Sequence, residues 1–213
     1  MKNYYKNLKL LTKNHVYSEE MEHDACGVGV IVSTEGKKSR EIVEHGINAL
    51  KAVWHRGAVD ADGKTGDGAG IHVEIPKDFF IEKIEVTGHD YDNAEICVGM
   101  IFLPRNDYSA QESCKTIVES ELTKNNFSIY GWRQVPVNPK ILGQKALQTM
   151  PEIIQVLFKS NDQDLLEKDL ERKIYETRKK IEKKAFQLSL NNFYICSISS
   201  KSIIYKGCLL YTS

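Results

Sequence analysis

The chain has 213 residues, enough to bury one substantial hydrophobic core and too many for a small disulfide-stapled fold. Its 29 Lys and Arg residues balance 29 Asp and Glu residues, so a zero formal net charge gives no electrostatic argument for binding nucleic acid or an anionic membrane. The five cysteines are widely spread, with no C-x-x-C pair and no zinc-site spacing, and no apolar run reaches membrane-spanning length. We therefore expect a cytoplasmic protein that acts on a small molecule or on another domain.

Residues 1–25 differ from the rest of the chain. They are polar, lack clear hydrophobic periodicity and end in an acidic patch, so we interpret them as a leader that is removed. The alternative is an ordinary flexible N-terminus, which many domains carry. Cys26 follows, and the apolar, β-branched run 27–33 after it predicts a short buried strand.

The next segment predicts a helix that begins at Ser39, a good N-cap residue. Apolar side chains at three- and four-residue steps predict one buried face made of Ile42, Val43, Ile47, Leu50, Val53 and Trp54. The helix ends near His55, Arg56 and Gly57.

A glycine-rich segment, 61–70, leads into a predicted strand at 71–75. Its four glycines indicate positive φ or a close approach of the backbone to another group. A phosphate-binding loop is excluded, because the glycine spacing before Lys64 is absent and such a loop leads into a helix.

The remaining elements mix strands and helices without steady alternation. We predict helices at 76–84, 109–124 and 164–190, helical turns at 141–150, and strands at 95–103, 127–135, 153–158, 193–199 and 202–205. Consecutive strands such as the last two favour antiparallel sheets covered by helices, an α+β fold.

Cys26 is the candidate nucleophile. An ordinary thiol, with a pKa near 8.5, is only a few per cent ionised at neutral pH and needs a base. If residue 26 becomes the N-terminus, its own α-amino group, with a pKa of about 7.7–8.0, can exchange that proton through one water. The alternative, a small buried side chain at a strand start, is a common fate for cysteine. Cys97, Cys114 and Cys196 lie in apolar-periodic segments and are predicted to be structural.

Three further residues are candidates for binding. Arg56, followed by Gly57, can receive a carboxylate through its guanidinium donors, or can simply satisfy carbonyls at the helix end. Asp67, between two glycines, can hold an ammonium group or cap its own turn. From these residues alone the structural alternative is favoured for Asp67.

Several motifs together carry a resemblance to a known family. These are Cys26-Gly27-Val28-Gly29, His55-Arg56-Gly57-Ala58, Asp62-Gly63-Lys64-Thr65-Gly66-Asp67-Gly68, Gly131-Trp132-Arg133-Gln134-Val135-Pro136 and Tyr205-Lys206-Gly207. In order and spacing the chain resembles the N-terminal class II glutamine amidotransferase domain of glutamate synthase large subunits, over roughly residues 22–207. The first two motifs are shared by other class II amidotransferases, whereas the loop at 62–68 resembles glutamate synthase in particular.

The resemblance implies a fold and a chemistry. The fold is the N-terminal-nucleophile (Ntn) hydrolase type, a four-layer αββα sandwich of two antiparallel sheets. Cys26, freed by removal of residues 1–25, attacks the side-chain amide of L-glutamine and releases ammonia. Arg56 and Gly57 shape the pocket, and the loop around Asp67 helps to form it. In the family the ammonia is passed to 2-oxoglutarate in downstream synthase domains that use FMN, an iron–sulfur cluster, and ferredoxin or a small electron-donating subunit.

The family's oxyanion donor and its main glutamine-binding residues come from segments beyond this sequence, and residues 208–213 depart from the expected continuation. We therefore expect a truncated domain, 26–213, whose sandwich is incomplete at its C-terminal end. Loss of one oxyanion donor costs about 10²–10³ in rate, so little glutaminase activity is expected of the chain alone. Two alternatives stay open: another class II amidotransferase, of the purine or amino-sugar pathway type, and a noncatalytic Ntn-fold module.

Overall fold

The computed structural model describes residues 6, 7, 10, 27–53, 61–162 and 165–207. The chain divides into two compact units, Met1–Val30 and Ile31–Ser213. In the first unit Lys6, Asn7 and Leu10 are helical, and residues 27–30 have no regular secondary structure. The helices and strands that follow all belong to the second unit.

Helices and strands alternate irregularly along the second unit. The helices are α1 (Arg40–Ala52), α2 (Lys77–Val86), α3 (Tyr108–Lys124), α4 (Gln144–Thr149) and α5 (Glu167–Gln187), with a 3-10 turn at Pro139–Ile141. The strands are β1 (Ala69–Glu74), β2 (Cys97–Leu103), β3 (Phe127–Gln134), β4 (Glu152–Ser160), β5 (Tyr194–Ser199) and β6 (Ser202–Gly207). Every helix and strand predicted between residues 71 and 205 is confirmed, with bounds that differ by a few residues.

The described strands form two antiparallel sheets. One has four strands in the order β3-β4-β2-β5, and the other pairs β1 with β6. Strands β5 and β6 are consecutive in the chain but belong to different sheets, so the short turn between them joins the two sheets. The α+β class with two antiparallel sheets is confirmed.

Hydrophobic cores lie on both faces of the four-stranded sheet. Because side chains alternate along a strand, β2 sends Ile101 and Leu103 into a core shared with α3 and α5. It sends Val98 and Met100 into a second core shared with α2 and β6. All four side chains are at most 1% exposed, so the prediction of a strand buried on both faces is confirmed.

The predicted strand at 27–33 is wrong. Residues 27–33 belong to none of the described sheets. The side chains of Val28, Val30 and Val32 are 92%, 82% and 71% exposed. β-Branched residues favour an extended backbone, but a strand also needs a neighbour for its backbone hydrogen bonds. None of the described strands pairs with this segment.

Helix α1 begins as predicted but is less buried than predicted. The Ser39 hydroxyl accepts a hydrogen bond from the N–H of Ile42 at 3.4 Å, so the predicted cap is confirmed. No residue of α1 is fully buried, and Val53 is 42% exposed. The four apolar residues predicted to face inward within α1 are half-buried, and Trp54 lies outside the described residues.

The long helix α5 is shorter than the predicted 164–190. Its central apolar residues Leu170, Ile174 and Ile181 are buried as predicted. Leu166 and Leu188 are exposed, because they lie at the N-cap and C-cap positions beyond the helix that would carry them onto the same face.

Candidate functional site

The structure places one of the four predicted site residues. Cys26, Arg56 and Gly57 lie outside the described residues. Asp67 is described: it is exposed and lies two residues before β1. The described part of the candidate site is therefore the glycine-rich loop, and this loop has a defined geometry.

Asp62 organises the loop. Its Oδ1 accepts hydrogen bonds from the N–H groups of Lys64 at 3.0 Å and Thr65 at 2.7 Å, and its Oδ2 accepts one from the Thr65 hydroxyl at 2.6 Å. Gly63, inside this turn, has φ of +67°, a conformation that a side chain makes costly. The segment is an Asx-type turn closed by the carboxylate.

The start of α4 packs tightly against this turn. The backbone N–H of Lys145, in the first turn of α4, also donates to Asp62. Gly143 is the N-cap residue, and a Cβ added to it would lie 2.2 Å from Thr65 Oγ1 and 2.5 Å from Thr65 N. Only a residue without a side chain permits this approach. The hydrogen bonds, first among them that from the Thr65 hydroxyl, hold the pKa of Asp62 well below its ordinary value.

Sequence reasoning missed both Asp62 and Gly143 as organising residues. For Asp62 a signal was present, since an aspartate three residues before a threonine in a glycine-rich segment is typical of a side-chain-closed turn. For Gly143 the sequence offered only a glycine before a short helix, because its partner is a loop far away in the chain.

The described cysteines are structural, as predicted. Cys97, Cys114 and Cys196 are unpaired and buried. Burial raises the pKa of Cys114 to about 11, and it also raises the pKa values of Cys97 and Cys196. Because the thiolate is the reactive form, these three thiols are poor nucleophiles at neutral pH.

The described residues also line a cleft of about 820 Å³ beside the β5–β6 turn. Its lysines pair with glutamates of the same cleft: Lys38 with Glu74, Lys77 with Glu95 at 2.8 Å, and Lys201 with Glu167. No cysteine is among the described residues that line it. The described lining of this cleft therefore supplies no thiol nucleophile.

Comparison with known protein families assigns the chain to one family of enzymes. Residues 26–213 match the family described as glutamine amidotransferases class-II, so the chain belongs to that family of enzymes. This membership, together with the two antiparallel sheets and their helices, confirms the predicted Ntn-type sandwich.

Individual relatives narrow the assignment within the family. The chain is 52% identical over 204 residues to the glutamate synthase [NADPH] large chain of Azospirillum brasilense, covering 96% of this chain and 13% of the relative. It is 40% identical over 190 residues to ferredoxin-dependent glutamate synthase 1 of Arabidopsis thaliana, covering 88% and 12%. The ferredoxin-dependent glutamate synthase of Pyropia yezoensis is 39% identical over 207 residues, covering 93% and 13%. The chain is thus a class II amidotransferase domain similar to those of glutamate synthases and spans about an eighth of their length.

Neither a metal-binding cluster nor a membrane-spanning helix is found among the described residues. They contain no group of three or more His, Cys, Asp or Glu side chains placed to hold a metal ion. Among them, no helix is long and apolar enough to cross a membrane.

Proposed function

We propose that this chain is the glutamine-hydrolysing domain of a glutamate synthase, with Cys26 as its nucleophile. One observation carries the proposal: the match to the class II amidotransferase family begins at residue 26, and that residue is a cysteine followed by Gly27-Val28-Gly29. The names of the relatives support glutamate synthase over the purine and amino-sugar pathway types.

The proposed reaction starts from a processed chain. Removal of residues 1–25 gives Cys26 a free α-amino group, which takes the thiol proton through one water. The sulfur then forms a bond to the side-chain amide carbon of glutamine. The protonated amine returns its proton to the amide nitrogen, the C–N bond breaks, and ammonia leaves a γ-glutamyl thioester. Water, deprotonated by the same amine, attacks the thioester carbon, so that the C–S bond breaks and glutamate is released.

The other predicted site residues act on binding in this proposal. Arg56 receives a carboxylate of the substrate through two parallel N–H donors, and Gly57 leaves space beside the sulfur. Asp67, an exposed carboxylate on a short loop, contributes to the wall of the pocket and offers an acceptor to the substrate ammonium group.

The fate of the ammonia belongs to the rest of the enzyme. By resemblance, we propose that it reaches 2-oxoglutarate in downstream domains, where FMN and an iron–sulfur cluster carry the electrons. The described residues do not fit such a cluster, because they contain no metal-binding group of side chains and their cysteines are buried. No step within this chain passes through it. The names of the relatives support either NADPH or ferredoxin as the electron donor, and the resemblance implies that a small electron-donating subunit or ferredoxin delivers the electrons. Cysteine usage supports a cytoplasmic location.

Replacement of the nucleophile tests the proposal in the full-length protein. Cys26→Ala abolishes glutamate formation from glutamine and 2-oxoglutarate but preserves formation from free ammonia, because only the ammonia supply is lost. Cys196→Ala is the matched control, since this buried thiol has a raised pKa and no role in the reaction. Glutamine-dependent activity that survives Cys26→Ala would contradict the proposal.

A further inference from the structure

The glycine-rich loop is fixed at both of its ends. At one end, Asp62 and Thr65 are bound to the start of α4 through the Lys145 N–H and the close approach of Gly143. At the other end the loop enters β1, where Ala69 pairs with Gly207 of β6. Residues 66–68 join these two anchors, and Gly66 among them itself forms a β-bridge.

Asp67 is the middle residue of this three-residue span. A span this short between two fixed points has few accessible conformations, so the position of the Asp67 carboxylate depends on both anchors. The β1–β6 anchor is a regular antiparallel ladder of six residue pairs, Ala69↔Gly207 to Glu74↔Ser202. The anchor at α4 instead rests on one carboxylate and one glycine.

We propose that Gly143 and Asp62 are positioning residues of the glutamine pocket, which hold the loop at 62–68 against α4 and thereby set the place of Asp67. The inference rests on the proposed glutaminase function, because it assigns Asp67 to the pocket wall. Neither Gly143 nor Asp62 needs to touch the substrate. They act through the loop, in the way that second-layer residues commonly fix groups that contact a ligand.

The size of the effect follows from the geometry at Gly143. A methyl group there would lie 2.2 Å from Thr65 Oγ1, whereas ordinary van der Waals contact begins at 3.4 Å. Backbone Thr65 N lies 2.5 Å from the added methyl group and cannot rotate away as a side chain can, so the loop would have to move by about 0.9 Å to bring this atom to 3.4 Å. Gly143 has φ of −70° and ψ of 164°, which alanine adopts freely, so the perturbation is a displacement of the loop and not backbone strain.

The test is made in the full-length enzyme with Gly143→Ala. A misplacement of about 1 Å in a positioning group costs about 10²-fold, so we expect kcat/KM for glutamine to fall by about that factor. Alkylation of the Cys26 thiol by iodoacetamide, which needs no glutamine pocket, keeps its rate, and activity with free ammonia is retained. Gly46→Ala in α1 is the matched control, because its Cβ would meet only Ile71 Cδ1 at an ordinary 3.5 Å.

A second pair of variants decides the matter if Gly143→Ala does not fold. Thr65→Val removes the hydroxyl that donates to Asp62 while keeping the side-chain shape, and Thr65→Ser retains the hydroxyl. We expect Thr65→Val to raise KM for glutamine and Thr65→Ser to restore the parent value. A role in folding alone would instead change the thermal stability of Thr65→Val and leave its KM unchanged.

The outcomes separate this inference from the proposed function. If the parent enzyme shows no Cys26-dependent glutamine hydrolysis, the proposed function fails and this inference fails with it. If the parent hydrolyses glutamine, but folded Gly143→Ala and Thr65→Val both keep the parent kcat/KM, only the positioning role is overturned. Equal losses of glutamine hydrolysis, Cys26 alkylation and ammonia-dependent activity would also overturn it, because they would indicate general damage.

Discussion

Glu121 joins the two helices that cover the four-stranded sheet. It lies on α3, its side chain is only 6% exposed, and its carboxylate is paired with Lys184 of α5 and, at 3.7 Å, with Lys124. The hydrogen bond from Lys184 is the main cause of a lowered pKa for Glu121. We therefore predict that Glu121→Gln destabilises the domain by weakening the α3–α5 contact.

The magnitude follows from the kind of bond that is lost. A hydrogen bond to a charged group contributes about 1.5–3 kcal/mol, and the exposure of both lysines reduces this by screening to about 1–2 kcal/mol. In a domain of this size, that loss lowers the melting temperature by about 2–8 °C. Glu176→Gln, an exposed glutamate on α5, is the control and should change stability by less than about 0.5 kcal/mol.

The pH dependence of the loss tests the reasoning. Because the folded-state pKa of Glu121 is lowered, its stabilisation is fully present above the unfolded-state pKa of about 4.3 and is lost as the pH falls through the folded-state value. Chemical denaturation of parent and Glu121→Gln should therefore give a difference in unfolding free energy that shrinks below about pH 4. A difference that is constant from pH 7 to pH 3, or absent at pH 7, would refute the role of the ion pair.

Two further changes test contacts made by residues of the four-stranded sheet. Gly99→Ala in β2 would place its Cβ 2.7 Å from Val156 Cγ1, so we expect chemical denaturation to show a free energy of unfolding lower by about 1–3 kcal/mol. The double variant with Val156→Ala should recover most of this loss. Equal stability of the parent and Gly99→Ala would contradict the close packing of these two residues. Burial, together with its hydrogen bond to Asp92 at 2.6 Å, raises the pKa of Tyr130. Tyr130→Phe should lower the free energy of unfolding by about 1 kcal/mol at pH 7. Above about pH 10 the phenol of the unfolded parent ionises, so the difference in stability between parent and variant should shrink. A difference that grows as the pH rises would contradict this prediction.

Local patterns predicted the elements whose ends carry their own signals. Helix α1 begins at its predicted cap, where the Ser39 hydroxyl accepts a hydrogen bond from the Ile42 N–H. In α3 the predicted inward residues Cys114 and Leu122 are buried. Strand β2 was equally clear, because a continuous apolar run of strand length has to be covered on both faces.

Features that depend on distant partners were not predictable in the same way. The β-branched run at 27–33 has the composition of a strand, yet no described strand pairs with it. Composition reports a preference for extended backbone but not the presence of a neighbour. The contact between Gly143 and the loop at Thr65 joins segments from separate parts of the chain, and neither segment alone predicts it.

The predicted site shows the same difference between features that local sequence predicts and features that depend on distant partners. Cys26, the proposed nucleophile, and its neighbours were recognised as motifs, and the family match begins at that cysteine. For Asp67 the residues alone favoured a turn-capping role, and the family resemblance added a role in forming the pocket. In the structure the Asp62 carboxylate closes the turn at 62–65, and Asp67 lies between that turn and β1.

The most direct test of the central claim is the mass of the N-terminal peptide of the full-length protein, purified from its natural source. We predict a peptide that begins at Cys26, with residues 1–25 removed and a free α-amino group beside the thiol. A peptide that begins at Met1 or Lys2 in catalytically active protein would contradict the claim, because Cys26 would then have no amine to act as its base.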